Sequence, residues 1–143
     1  MGKNIKILLI EDNPGDAYLI DEYLEEFANF SYELIIVETL SEALSALKNK
    51  LFNIILLDLE LPDSYGINTF LSIHNKNPLI PIIILTGLND KTMGAYAIKE
   101  GAYDFLVKGQ TEGRLLECII RCSSEHKKKL YTITDGCHFQ YSR

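Results

Sequence analysis

The run Ile54-Ile55-Leu56-Leu57 is continuously apolar and ends directly in the carboxylate of Asp58. Unbroken runs of this kind are typical of strands that are covered on both faces of a sheet. Three other strand-like runs also end in residues suited to phosphoryl chemistry: residues 6–10 lead into Glu11 and Asp12, residues 82–85 into Thr86, and residues 105–107 into Lys108. In a parallel α/β sheet the carboxyl ends of the strands open on one edge, where ligands bind. The sequence therefore predicts that these side chains meet at one site.

Strand, loop and helix alternate five times along the chain. The first helix is predicted to begin at Asn13-Pro14, where an N-cap precedes a proline at the first helical position. Thr39 and Glu42 form a capping box for the second helix, and Gly101 ends the fourth. The predicted strands cover residues 5–10, 32–38, 53–58, 82–86 and 103–108, and the fourth and fifth helices cover residues 90–100 and 111–129. Because helices supply the crossovers that parallel strands need, the predicted fold is a doubly wound five-stranded parallel sheet, flavodoxin-like (βα)5, with strand order 2-1-3-4-5.

The size and composition indicate one soluble globular domain. A chain of 143 residues is long enough to bury a core of its own. We expect that domain to span residues 1–131, and residues 132–143 to form a tail that is too short for an output domain. The net charge of −6 argues against non-specific nucleic-acid binding, which requires a basic surface. Much of this acidity falls on the first helix, at Asp16, Asp21, Glu22, Glu25 and Glu26.

The chain shows no targeting signal at its start. No signal peptide is visible, and no apolar run reaches the length needed to span a bilayer. The three cysteines are an odd number in a core-rich chain and do not form the pattern of a disulfide framework. We therefore expect a cytoplasmic protein without a membrane partner.

The predicted site has the chemistry of phosphoryl transfer. Mg²⁺ prefers oxygen ligands and usually takes one or two carboxylates plus phosphate oxygens, so Glu11, Asp12 and Asp58 are candidate metal ligands. A carboxylate can also attack phosphorus and form an aspartyl phosphate. Transfer then depends mainly on positioning and on neutralising the phosphoryl oxygens, which the Lys108 ammonium and the Thr86 hydroxyl could do.

These segments together resemble the response-regulator receiver domain of two-component signalling, and the resemblance extends from Lys6 to about Lys129. The matching segments are Ile-Leu-Leu-Ile-Glu11-Asp12-Asn-Pro, Ile-Ile-Leu-Leu-Asp58-Leu-Glu-Leu-Pro62-Asp, Ile-Ile-Leu-Thr86-Gly and Glu-Gly101-Ala-Tyr-Asp-Phe-Leu-Val-Lys108. The resemblance implies that Asp58 is the phosphoacceptor. It also implies that Mg²⁺ is bound by Glu11, Asp12, Asp58 and the backbone carbonyl of Glu60.

The resemblance further implies how the domain signals. Thr86 and Lys108 would contact the phosphoryl group, and Thr86 and Phe105 would be the switch residues, with Phe105 at the aromatic position that changes rotamer. The phosphoryl donor would be the phosphohistidine of a sensor histidine kinase. A downstream protein partner would bind the face formed by the fourth helix, the fifth strand and the last helix. No external substrate would be turned over and no nucleic acid bound directly.

The sequence departs from the family pattern at two positions. Gly109 follows the lysine where receivers usually have a proline, often with a cis bond. A cis bond before a residue other than proline costs about 2.5–4 kcal/mol, so we expect a trans bond here. Phe105 lacks the hydroxyl of the tyrosine that is common at its position, so a switch there has to act through packing.

Several alternatives remain open at this stage. The chain could be the receiver piece of a longer hybrid kinase, or an intermediate in a phosphorelay. Its architecture is shared by flavodoxin-like FMN carriers, and Asp58-Leu59-Glu60 resembles the nucleophile motif of haloacid-dehalogenase phosphatases. Gly94, inside the fourth helix, costs about 1 kcal/mol relative to alanine. It indicates either a weak helix that can shift or a close packing contact.

Overall fold

The computed structural model describes residues 4–124. Five strands form its main sheet: β1 (Asn4–Ile10), β2 (Ser31–Val37), β3 (Ile54–Asp58), β4 (Ile82–Thr86) and β5 (Asp104–Val107). Five helices follow them in alternation: α1 (Pro14–Phe27), α2 (Leu40–Asn49), α3 (Ile67–His74), α4 (Lys91–Lys99) and α5 (Gly113–Ser124).

The sheet is entirely parallel and has the order β2-β1-β3-β4-β5. Both the predicted fold class and the predicted order 2-1-3-4-5 are confirmed. The register pairs Leu57 of β3 with Ile10 of β1 on one side and with Ile84 of β4 on the other. The three central strands therefore end at nearly the same level, and the residues that follow them share one edge.

Two apolar cores, one on each face, hold the sheet between its helices. Ile7 and Leu9 point towards α1 and α5, whereas Leu8 and Ile10 point towards α2, α3 and α4. All residues of β3 and β4 are buried. This burial is the physical reason for the continuous apolar runs in the sequence.

The helix starts follow the predicted capping residues. The side chain of Asn13 accepts a hydrogen bond from the backbone N–H of Asp16, and Pro14 is the first residue of α1. The Thr39 hydroxyl accepts one from the N–H of Glu42 at 3.0 Å, while the Glu42 carboxylate accepts from the N–H of Glu38. These side-chain acceptors satisfy N–H groups that have no partner inside the helix.

Two local features were not predicted. The loop after β3 contains a small antiparallel hairpin that pairs Glu60–Leu61 with Ser64–Tyr65. A short 3₁₀ turn, Leu88–Asp90, precedes α4, which begins one residue later than expected. Both lie beside the carboxyl edge of the sheet and shape the cleft there.

The end of the chain bears on three expectations. The predicted last helix is observed as far as Ser124, and its predicted remainder, like the tail at 132–143, lies outside the described residues, so the domain boundaries stay a prediction. Cys118 is disulfide-bonded, which the cysteine pattern of the sequence did not predict. Within residues 4–124, no helix has both the length and the apolar character needed to cross a bilayer.

Candidate functional site

The residues predicted to form the site do come together at the carboxyl edge of the sheet. Asp58 and Thr86 are the last residues of β3 and β4. Glu11 directly follows β1, and Lys108 directly follows β5. The main chain fixes two of these positions, because Glu11 N–H donates to the carbonyl of Val37 at 2.9 Å and Lys108 N–H donates to that of Thr86 at 2.7 Å.

Three carboxylates line this edge within the distance that one cation can bridge. Glu11, Asp12 and Asp58 each offer an oxygen atom, and these atoms lie within 4.8 Å of one another. Glu11 and Asp58 are buried, with 2% and 7% of their surfaces exposed, whereas Asp12 is more open to solvent. The set consists of hard oxygen donors with one solvent-facing side, which suits Mg²⁺ with its retained waters.

The acidic cluster changes the proton affinity of Glu11. Burial, followed by the proximity of Asp58, raises the pKa of the Glu11 carboxyl from 4.5 to about 7, although Lys108 partly offsets the increase. Desolvation disfavours the charged form of a carboxyl, and a second carboxylate nearby adds to this effect. The single ammonium of Lys108 therefore does not fully offset the buried carboxylates, and a divalent cation would supply the further positive charge. The residues present fit such a metal.

Lys108 reaches into the middle of the acidic cluster. Its Nζ lies 2.7 Å from Glu11 Oε1, 2.9 Å from Asp58 Oδ2 and 3.1 Å from Asp16 Oδ2. The carboxylates of Glu11 and Asp58 raise the pKa of the Lys108 ammonium above its ordinary value against the opposing effect of burial, so this side chain carries a positive charge.

The peptide bond between Lys108 and Gly109 is trans, as expected, because residues 4–124 contain no cis peptide bond.

Thr86 and Glu60 lie at the wall of an open cleft next to Asp58. The cleft has a volume of about 260 Å³ and is also lined by Tyr65 and Gly87. The Thr86 hydroxyl donates to the carbonyl of Leu106 over 3.4 Å, which is long for a hydrogen bond and easily exchanged for a better acceptor. The Glu60 N–H donates to Asp58 Oδ1 at 3.0 Å, so the loop after β3 also orients the Asp58 carboxylate.

Phe105 lies away from the cleft, on the side of β5 that faces α4. Its side chain is half-buried and packs on the core beneath α3 and α4. Gly94 of α4 faces the ring directly, since a β-carbon at this position would lie 2.6 Å from Phe105 Cγ. Of the two interpretations of Gly94, close packing is therefore the one that the geometry supports.

Asp16 is the member of the site that sequence reasoning missed. It was counted among the acidic residues of the first helix, although it lies in the first turn of α1, three residues after the N-cap Asn13. That turn stands directly above the end of β1, so its position in the sequence could have indicated the site. Its contact with Lys108 joins residues 92 positions apart and has no local sequence signal.

The chain matches the sequence profile of the response regulator receiver domain over residues 7–120. It is 32% identical over 124 residues to the C4-dicarboxylate transport transcriptional regulatory protein DctD of Rhizobium meliloti, covering 87% of this chain and 26% of that protein. It is 29% identical over 115 residues to the transcriptional regulatory protein ZraR of Salmonella typhimurium, covering 80% and 25%. The chain spans about a quarter of the length of these curated relatives.

Solved receiver structures share its fold. A CheY-like receiver domain protein from Methanospirillum hungatei superposes with a TM-score of 0.71 at 27% identity, covering 86% of this chain and 96% of that one. The receiver domain of Francisella response regulator 1452 superposes with a TM-score of 0.74 at 23% identity, covering 86% and 98%. The fold is that of a receiver domain, and the chain belongs to the response regulator receiver family.

Proposed function

We propose that the domain accepts a phosphoryl group on Asp58 in a Mg²⁺-dependent step and thereby changes which protein it binds. The observation that carries this proposal is the position of the Asp58 carboxylate. It is nearly buried, lies at the end of a central strand, and opens into a cleft of about 260 Å³ beside a lysine ammonium 2.9 Å away.

Each residue of the site has a different role in phosphoryl transfer. An Asp58 oxygen attacks the phosphorus of a phosphohistidine, the P–N bond breaks, and the electron pair stays with the imidazole nitrogen of the donor. Lys108, which contacts Asp58, neutralises charge on the transferred group. The Thr86 hydroxyl turns from its long bond to Leu106 and donates to a phosphoryl oxygen. Hydrolysis of the acyl phosphate by water later restores the Asp58 carboxylate.

The metal ligands in this proposal are Glu11, Asp12 and Asp58, together with the backbone carbonyl of Glu60. The carboxylate cluster supports the first three, since their oxygens lie within 4.8 Å of one another. Glu60 lines the same cleft as Asp58. When bound by these residues, Mg²⁺ would supply positive charge that neutralises phosphoryl oxygens, in addition to the charge of Lys108.

The output is a change in the face formed by α4, β5 and α5. The ordering of Thr86 by the phosphoryl group would be transmitted to Phe105, since the two strands pair Ile84 with Phe105 and Thr86 with Val107. Because phenylalanine has no hydroxyl, the change is one of packing against Gly94. A downstream protein binds this face, a sensor histidine kinase in the cytoplasm is the donor, and no external substrate is turned over.

Intact-mass measurement after incubation with phosphoramidate tests this proposal. Wild type is expected to gain one base-labile phosphoryl group when Mg²⁺ is present and none when it is chelated. Asp58→Ala serves as the variant without the acceptor, and Asp63→Ala as a variant with a nearby carboxylate removed. An adduct of equal size on Asp58→Ala, or none on wild type under conditions that modify another receiver, would contradict the proposal.

A further inference from the structure

The ammonium of Lys108 is held by a third carboxylate that belongs to neither the acceptor nor the predicted metal ligands. Asp16 Oδ2 lies 3.1 Å from Lys108 Nζ, on a helix that contributes no other group to the site. An ammonium has three N–H donors, and three carboxylates, those of Glu11, Asp58 and Asp16, stand around this one.

The surroundings of Lys108 do not otherwise fix its side chain. One side borders the cleft of about 260 Å³, and the other borders a small apolar cavity of about 30 Å³ between α1 and α5. The next residue, Gly109, has φ +81° and no atom within 4 Å of the place where a β-carbon would lie. With open space on both sides and a sparsely packed loop behind it, the position of the ammonium depends on its ion pairs.

Asp16 differs from the other two partners in one respect that matters for the reaction. Glu11 and Asp58 belong to the group of three carboxylates that can share a cation, and Asp16 does not. A metal bound to the cluster would compete with Lys108 for both of those carboxylates. It would leave Asp16 as the partner that keeps the ammonium beside the acceptor.

We propose that Asp16 is a positioning residue that holds Lys108 next to Asp58 while the acceptor is being phosphorylated. The inference rests on the proposed function and extends it to a residue outside the acceptor and metal set. Asp16 contacts Lys108, so we assign its effect on the reaction to the position of the ammonium.

The test compares Asp16→Asn with Asp21→Asn in the full chain. Both variants remove one negative charge from α1, but Asp21 is not among the carboxylates that pair with Lys108 in residues 4–124 and controls for net charge. The first measurement uses metal-free protein and follows limited acylation of Lys108 by peptide mass spectrometry. We expect the acylation rate of Lys108 to rise several-fold in Asp16→Asn and to stay at the wild-type value in Asp21→Asn.

The second measurement is the rate of phosphorylation by phosphoramidate at several Mg²⁺ concentrations. Asp16→Asn is expected to lower the maximal rate about two- to fivefold, because the Asp16 side chain is 38% exposed and water screens its pair with Lys108. The Mg²⁺ concentration for half-maximal rate should stay nearly unchanged. Asp16→Glu should recover part of the rate. Thermal unfolding of each variant checks that it is folded.

Three outcomes would overturn the inference: unchanged Lys108 acylation in Asp16→Asn, an unchanged maximal rate, or a loss that lies wholly in Mg²⁺ affinity. Failure of the proposed function is recognised separately, because wild type would then form no adduct. The acylation of Lys108 in metal-free protein shows whether Asp16 holds the ammonium, whether or not Asp58 accepts a phosphoryl group.

Discussion

The ring of Phe105 occupies the space that a side chain at position 94 would need. A β-carbon at Gly94 would lie 2.6 Å from Phe105 Cγ and 2.8 Å from Cδ1, closer than such atoms pack in proteins. Gly94 is buried within α4, and Phe105 is half-buried on β5. The glycine therefore sets how closely helix and strand approach at the face proposed to change on phosphorylation.

The first prediction concerns Gly94→Ala. Alanine favours a helix interior by about 1 kcal/mol over glycine, but overpacking a close contact costs about 1–3 kcal/mol. We expect the clash to dominate, so that the free energy of unfolding in urea falls by about 1 kcal/mol. In a Phe105→Ala background the same substitution should be stabilising. Equal stabilisation in both backgrounds would show that the ring does not limit position 94.

The second prediction concerns the charge balance of the site. Lys108→Met leaves Glu11 and Asp58 without their cation, and removing one partner of a buried ion pair is strongly destabilising. Because the lysine side chain is 24% exposed, water screens part of this interaction. We expect the free energy of unfolding, measured at pH 8 in the presence of a chelator, to fall by roughly 1–3 kcal/mol.

Lys50→Met is the matched control for this change. Lys50 pairs with Glu33 at 2.6 Å, but their side chains are 40% and 38% exposed. Exposed ion pairs contribute only about 0–1 kcal/mol to the free energy of unfolding. Urea unfolding of the two variants under the same conditions gives the comparison. Losses of the same size would mean that the acidic cluster does not depend on Lys108.

The third prediction is a pH dependence at Asp63. Its carboxylate accepts hydrogen bonds from the backbone N–H groups of Leu40 and Ser41, at 2.8 and 3.0 Å, at the start of α2. These bonds hold the pKa of Asp63 below its ordinary value of 3.8. A depressed pKa means that the stabilisation is present above 3.8 and is lost as the pH falls through the lower folded value.

Asp63→Asn should therefore unfold at a lower temperature than wild type at pH 7, and the difference should shrink as the pH falls below 3.8. Asp21→Asn, on α1, removes one negative charge without removing these two hydrogen bonds and serves as the control. A difference that stays constant from pH 7 to pH 2 would contradict the assignment of the shift to these two hydrogen bonds.

The fourth prediction compares Gly101, where both the backbone conformation and a close contact require glycine, with Gly109, where only the backbone conformation does. Gly101 has φ +125°, and a β-carbon there would lie 2.7 Å from Nε2 of His74, whose ring is stacked on Phe70. Gly109 also has a positive φ, of +81°, but lies in open space. Alanine at 109 should cost about 1–2 kcal/mol for its left-handed backbone.

Alanine at 101 should cost about 2–4 kcal/mol, because the contact with His74 adds to the backbone term. Thermal or urea unfolding of both variants measures the difference, and His74→Ala should recover part of the loss at 101. If the two alanine variants are equally stable, the contact with His74 carries no energy.

The features that could be predicted from the sequence are those with local causes. Caps such as Asn13 and Thr39 act within a few residues, and a strand buried on both faces has to be apolar throughout, as residues 54–57 are. Because parallel strands share a carboxyl edge, the residues at their ends could be placed together without further information. For this reason the proximity of the acidic cluster and Lys108 could be predicted from the sequence.

The features that were missed depend on contacts between distant segments. The Asp16–Lys108 pair spans 92 positions, and an acidic residue in the first turn of a helix is well explained by the helix dipole alone. The hairpin between Glu60 and Tyr65 has strands of only two residues, too short for any alternation to be visible. The sequence shows a glycine inside the fourth helix at position 94, but only the position of Phe105 decides between a weak helix and a close packing contact.

The most direct test of the central claim is to locate the phosphoryl group after reaction with phosphoramidate and Mg²⁺. Borohydride reduces an aspartyl phosphate to homoserine, which peptide mass spectrometry can assign to a position in the chain. The proposed function predicts homoserine at position 58, and none at Asp12 or Asp16. Homoserine at another carboxylate, or a stable adduct on a residue other than aspartate, would contradict it.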